Sequence, residues 1–288
     1  MRIKILLYTF IGFLVLAVTA TGVFYKTSGS SFESMTMHGE IATFHGTGLY
    51  QFDPDPIAQE GIIWDAINLF IGLPFFVIAI YLTSRHSLRG KLLLGGFLCY
   101  FFYVYLMYAT MMAFNRLFLI YVAIFSLSLV ASLLNLRDID VPSLPSHISA
   151  RFPRRFFSIF AILLAAVLII LWSKLILSAM IPNQLPAEFA GRNTLQSQAL
   201  DLGLIVPLAL AAGILLWRRS SWGYLLTGIS LTHGAMMFIA IPMWIVVPLI
   251  REGKINLIEA IPFLILCLVG LALAWMFYRS VQEEKVSG

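Results

Sequence analysis

Charge is what this chain has least of. Charged residues make up 11% of its 288 residues and hydrophobic residues 60%, where a soluble domain carries about 25% charged and about 45–50% apolar residues. A water-soluble fold of this composition would lack the polar side chains to cover its surface, so a bilayer must act as solvent for most of it. Cysteine is scarce too. Cys99 and Cys267 each lie inside an apolar run, with no CxxC, no metal-type spacing and no disulfide framework. The nucleophile elbow, the phosphate-binding Walker loop and H-E-x-x-H are all missing. His233 alone of the histidines falls deep in an apolar run, which excludes a bis-histidine haem. Lys174 stands near a helix end, where a lysine snorkels, so no buried lysine is left for a retinal Schiff base. No cofactor is expected.

What the chain has in abundance is long apolar runs. A membrane helix needs about 20 mostly apolar residues, and eight runs qualify: 5–25, 61–83, 92–113, 117–136, 156–180, 199–217, 222–248 and 256–278. The expected fold is all-α, a polytopic transmembrane helical bundle of about eight spans. The mean hydropathy of +0.91 agrees.

The net charge of +5 and pI near 9.3 carry topology rather than nucleic-acid binding, because the basic residues sit in short turns between apolar runs. With the N-terminus inside, the inner segments hold Arg2, Lys4, Arg85, Arg89, Lys91, Arg137, Arg151, Arg154, Arg155, Arg218, Arg219, Arg279 and Lys285. The outer ones hold Lys26, Arg116, Lys174, Arg192, Arg251 and Lys254. Thirteen against six is the positive-inside bias. Both termini are therefore expected in the cytoplasm, with the protein multi-pass in the cytoplasmic (inner) membrane. Arg2 and Lys4, an apolar stretch and Val18-Thr19-Ala20 share the form of a cleavable signal peptide. The apolar run continues through Val23, Phe24 and Tyr25, long for such a signal, and the first span is read as a retained helix.

The two halves resemble one another. Pro74 is followed 16 residues later by Gly90, and Pro207 by Gly223 at the same distance; both glycines open a G-x-L-L-x-G after a short basic turn. Upstream, Asp65 stands nine residues before Pro74 and Asp201 six before Pro207, so Asn68, six before Pro74, is an equally good counterpart of Asp201. This divides the chain into a four-helix unit at 1–140, including an outer loop at 26–60, a proline-containing basic linker at 141–155, and a second four-helix unit at 156–288. Two such units in the same orientation form parallel repeats, and transporters place their sites at such interfaces.

Ionisable residues at membrane depth are costly and are candidates for function. Asp65 lies about one turn below the outer end of the second span, by a rise of about 1.5 Å per residue, with Asn68 on the same face. Asp201 and Glu259 lie near the outer ends of the sixth and eighth spans. Asn115 and Arg116 form the outer turn between the third and fourth. His233 is mid-helix in the seventh. Together they imply an outward vestibule, with Asp65, Asp201 and Glu259 around Arg116 and His233 as its floor. The same carboxylates also suit helix first turns as interfacial caps, and His233 suits a plain interhelical hydrogen bond. In the outer loop, His38 and His45 are weak candidates for a metal; folding over the outer face as a lid is that loop's other reading. Tyr100, Tyr103, Tyr105 and Tyr108 read as packing and interhelical hydrogen bonds, or as one wall of a ligand site.

Arg89-Gly90-Lys91-Leu92-Leu93-Leu94-Gly95, the tyrosine-rich helix after it, and Phe114-Asn115-Arg116-Leu117-Phe118-Leu119-Ile120-Tyr121-Val122-Ala123 resemble a family of uncharacterised prokaryotic multi-pass membrane proteins. Gly48-Leu49-Tyr50, Gln59, Asp65 and Pro74 match its earlier pattern, so the resemblance covers roughly 48–130. It implies a membrane address and places Tyr50, Gln59, Asp65 and Asn115 in one structural unit, but implies no activity.

The sequence therefore favours a small-solute transporter or permease-like protein with a small-molecule ligand, the lipid bilayer as its partner and no nucleic acid. Its alternatives are a membrane enzyme acting on a lipid-linked or periplasmic substrate, and a non-catalytic scaffold or assembly factor. Neither the ligand nor an oligomeric state is legible.

Overall fold

A computed structural model describes residues 2–181, 186, 189, 191–240, 242 and 257–283, the side chains of 257–260, 262 and 263 excepted. In chain order it contains α1 (Arg2–Phe24), β1 (Phe32–Met35), β2 (Ile41–Phe44), α2 (Asp55–Ile67), a π-helical turn at Asn68–Gly72, α3 (Leu73–Ser84), α4 (Leu88–Met111) and α5 (Phe118–Leu136). A 3-10 segment at Val141–His147 leads to α6 (Arg154–Ala179), α7 (Gln196–Leu200), a second π-helical turn at Asp201–Ile205, α8 (Val206–Trp217), α9 (Ser221–Ala240) and α10 (Leu257–Ser280).

Among the described residues, seven spans are long and apolar enough to cross a membrane: α1, Asp55–Ser84, α4, α5, α6, Gln196–Trp217 and α9. The closing helix, α10, runs 24 residues, and its part from Leu264 to Ser280 is apolar. The expected helical bundle is thus the observed one. The second span starts earlier than expected, at Asp55 rather than 61. Pro56 fits the first helical turn, where its missing N–H costs nothing, and Asp55 meets the helix N-terminus favourably. The far end of the expected seventh span, 243–248, lies outside the described residues, as do Arg251, Lys254 and Lys285.

Two spans are broken in the same way. Proline has no N–H to donate, and its ring clashes with the carbonyl four residues back in an α-helix. Widening the preceding turn to π geometry relieves that clash. Before Pro74, the Leu73 N–H bonds to the Asn68 carbonyl, five residues back. Before Pro207, the Val206 N–H bonds to the Asp201 carbonyl in the same manner.

From these breaks the two halves run in one register, offset by the 133 residues between Pro74 and Pro207. α3 and α8 each have 12 residues. Both end in a left-handed residue with φ of 61°, His86 and Arg219. Ser87 N–H then bonds to the Leu82 carbonyl, and Ser220 N–H to the Leu215 carbonyl. A Cβ on Gly90 would stand 2.6 Å from the Leu82 carbonyl carbon, and one on Gly223 would stand 2.5 Å from the Leu215 carbonyl carbon. The G-x-L-L-x-G motifs are therefore places where one helix crosses hard against the backbone of the one before it. The counterpart of Asp201 is Asn68, not Asp65, and the counterpart of Tyr100 is His233.

The packing repeats as well. α3 packs on α4 as α8 packs on α9, α4 on α5 as α9 on α10, and the halves join chiefly through α4 against α9. α4 is the hub: 72% of its apolar window is buried, against 17% for α6, which leaves most of its surface to lipid. The tyrosines of α4 thus face protein rather than acyl chains.

The basic turns gather at one end of the bundle. Lys4 Nζ meets Asp138 Oδ1 at 2.6 Å, and Lys91 Nζ donates to the Asp138 carbonyl. Just after α10, Val281 pairs with Ile148 as an antiparallel bridge, and the Arg89 guanidinium donates to the Val281 carbonyl. Glu283 accepts from Ser87 Oγ and from the Leu88 and Arg89 N–H groups, capping α4. Burial works to raise its carboxyl, but those donors prevail and hold it below the usual carboxylate range.

Candidate functional site

Asp65 lies ten residues into its span rather than four, because α2 begins at Asp55, and it is fully buried. Room for it comes from α1, where a Cβ on Gly22 would fall 1.6 Å from Asp65 Oδ2. Tyr50 Oη donates to Oδ2 at 2.5 Å. Tyr108 Oη donates to the Gly61 carbonyl at 3.0 Å and reaches Oδ1 at 3.4 Å. Taking a carboxylate out of water costs several kcal/mol, while a hydrogen bond to a charged group returns about 1.5–3 kcal/mol. One short bond and one long one offset only part of that cost. Among the described residues no cation pairs with Asp65.

Tyr50 arrives from outside the helices. The hairpin β1–β2, with Phe32 opposite Phe44, is mostly exposed, but the chain after it turns inward at Gly46 and Gly48, both with positive φ. Gly48 N–H bonds to Thr27 Oγ1 at 2.8 Å, and Asp53 Oδ1 accepts the Ala113 N–H at 2.7 Å. This tuck buries Leu49, Tyr50 and Asp53. Burial pushes the Asp53 carboxyl up to about 6, against the lowering by the Ala113 N–H and by His45. Of the outer loop expected to fold over the bundle, it is segment 45–54 that tucks inward, while the hairpin before it stays mostly exposed.

The second carboxylate sits across the junction of the halves. Asp201 Oδ1 accepts from Tyr103 Oη of α4 at 2.7 Å, and Oδ2 from Trp172 Nε1 of α6 at 2.9 Å. It too has no cationic partner among the described residues. Between the two carboxylates lies a buried polar line. Tyr100 Oη donates to Asn68 Oδ1 at 2.9 Å, and Asn68 Nδ2 has no hydrogen-bond partner. The His233 ring packs edge-on against Tyr100, centroids 5.8 Å apart, and Tyr103, 5.1 Å apart. Its Nε2 likewise lacks a partner, and the side chain is 4% exposed.

The structure brings buried Asp65, Asn68 and His233 and half-buried Asp201 into one region but does not close it around Arg116. Arg116 is exposed, and no ion pair involves it among the described residues. Asn115 shapes the turn: its Oδ1 accepts the Leu117 N–H and its Nδ2 donates to the Ala113 carbonyl. Glu259 stands in the first turn of α10, with its side chain outside the described residues. The cation facing a carboxylate on this side is Arg192, at 2.7 Å from Glu60 and largely buried with it. His38 is exposed with its ring against Phe189, whereas His45 Nδ1 bonds to Asp55 Oδ1 at 2.8 Å. Among the described residues no three histidine, cysteine or carboxylate side chains gather as a metal set.

A cavity of about 440 Å³ opens beside the tuck, lined by Lys26, His45, Thr47, Tyr50 and Ile62 among others. Tyr50 thus touches the cavity on one side and Asp65 on the other. The tyrosine partners Tyr50, Tyr103 and Tyr108, and Trp172, carry the site; the interhelical hydrogen bonds expected of the α4 tyrosines are made by Tyr100, Tyr103 and Tyr108, whereas nothing in the sequence singles out Trp172. Compared with family models, curated proteins and solved structures, the chain matches none.

Proposed function

We propose that the protein carries a small solute across the cell's inner membrane, through a site in the outer half of the bundle where the two four-helix units meet. The observation that carries this reading is the pair Asp65 and Asp201. Each is a carboxylate in a span broken by a proline and a π-helical turn, and each is held by neutral donors rather than a cation. Such groups at membrane depth line substrate and ion pathways, and broken helices mark the sites of transporters. The cavity at Tyr50 supports entry from the outer side. In the same reading the basic end, with both termini, faces the cytoplasm.

The test is uptake into vesicles containing the purified protein, run against a panel of small solutes, with Asp65→Asn and Asp201→Asn beside the parent. Loss of uptake in both, with folding retained, is the expected result. Undiminished uptake in both variants rejects the site.

A further inference from the structure

The register between the halves makes a comparison that neither half makes alone. In the first half, Tyr100 of α4 donates to Asn68 of the π-helical turn at 2.9 Å. The corresponding places in the second half hold His233 of α9 and Asp201 of its π-helical turn. That pair should be the natural one, an imidazole and a carboxylate, but it is not made. Asp201 is occupied by Tyr103 and Trp172 instead, and His233 Nε2 is left buried without a partner. Tyr103 bridges them, its ring against His233 and its hydroxyl on Asp201.

We propose that His233 and Asp201 are a proton-operated switch at the junction of the halves, which makes the proton the coupling ion of the transport read above. A proton binding at Nε2 gives His233 an N–H and a positive charge. The imidazolium donates that N–H to Asp201 Oδ1 and displaces the Tyr103 hydroxyl. Loss of the proton restores the Tyr103–Asp201 bond seen here. Because Tyr103 belongs to the first half and Asp201 to the second, the exchange makes or breaks a bond between them. Both bonds end on the Asp201 carboxylate, but the imidazolium brings a full positive charge that the Tyr103 hydroxyl lacks, and in a low-dielectric site that added attraction favours the change of partner. Among the described residues, the titratable groups turned toward this region are Tyr100 and Tyr103 on α4, Asp201 beyond Tyr103, and Asp65 and Glu60 on α2. Tyr278 on α10 has its hydroxyl engaged by Thr232.

The test reads Trp172, whose indole N–H reports directly on Asp201. The protein is labelled with ¹⁵N-tryptophan in lipid nanodiscs, the Trp172 resonance is assigned by its loss in Trp172→Phe, and the pH is stepped from 8 to 4.5. The indole resonance is expected to move on acidification in the parent and to stay fixed in His233→Gln and His233→Asn. In Tyr103→Phe it should stand displaced already at neutral pH. A resonance that moves equally in both His233 variants, or that never moves in the parent, overturns the switch. The measurement needs no solute. A failed solute panel thus leaves it standing, while active uptake with an unmoving Trp172 rejects the switch and keeps the transport reading.

Discussion

The space that Gly22 leaves by having no side chain is the space Asp65 fills, since a Cβ there would sit 1.6 Å from Oδ2. The contact ties α1 to α2 at the most deeply buried carboxyl group described. Gly22→Ala is expected to lower stability by about 1–3 kcal/mol or more, the range of overpacked buried sites. Asp65→Ala in the same chain should recover most of that loss, because it vacates the clash. Thermal unfolding of the two single variants and the double variant measures the coupling, and additive losses would show that the two residues do not meet.

Gly90 and Gly223 make the same helix crossing, one in each half. Their missing Cβ atoms would stand 2.6 Å and 2.2 Å from the backbone of the preceding helix, and backbone cannot swing aside as a flexible side chain does. Gly90→Ala and Gly223→Ala should each cost about 1–3 kcal/mol or more. Unfolding in detergent would measure both; a variant as stable as the parent would contradict the crossing.

Segment 45–54 should dock more tightly in acid. Asp53 titrates near 6 when buried, against an ordinary 3.8. A carboxyl raised by folding favours the folded form below its unfolded value, and that advantage is lost as pH rises through the folded value. Local opening, followed by hydrogen exchange corrected for intrinsic rates, should increase on the order of a hundredfold from pH 4 to pH 8. Asp53→Asn should flatten that dependence, and a slope surviving in it would assign the effect elsewhere.

Arg192, ahead of α7, pairs with Glu60 of α2 away from the basic end. The two side chains keep 13% and 15% of their exposure, so removing one partner strands the other in a half-buried place, at about 1–3 kcal/mol. Glu60→Gln and Arg192→Met are expected to destabilise singly and much less together, as read by thermal unfolding of the set.

A reporter fused after Ser221 should read cytoplasmic, and one inserted near Gly48 external. The opposite result would invert the bundle and, with it, the proposed direction of entry.

The helices were legible because hydropathy is additive along a chain. The repeat was legible at Pro74, Pro207 and the two glycine motifs, because crossing backbones and missing N–H groups restrict residue type. The partners of the carboxylates were not. The resemblance sets Tyr50 and Asp65 in one structural unit without giving the bond between them, and Tyr103 is 98 residues from Asp201, a separation that no local pattern encodes. Arg116 misled for the complementary reason: in an outer turn its charge is cheap, and solvent satisfies it without any partner.

The strap formed by Ile148 and Val281 bears on the order of assembly. Val281 follows α10, so the bond can close only after every helix has been synthesised and inserted. Until then the first four spans must keep their arrangement by their own contacts, with the N-terminus of α4 uncapped by Glu283. Closure is thus a late event that registers completion of the whole bundle, and a chain stalled before α10 would hold its halves together by the α4–α9 packing and the bonds of Tyr103 to Asp201 and Arg192 to Glu60.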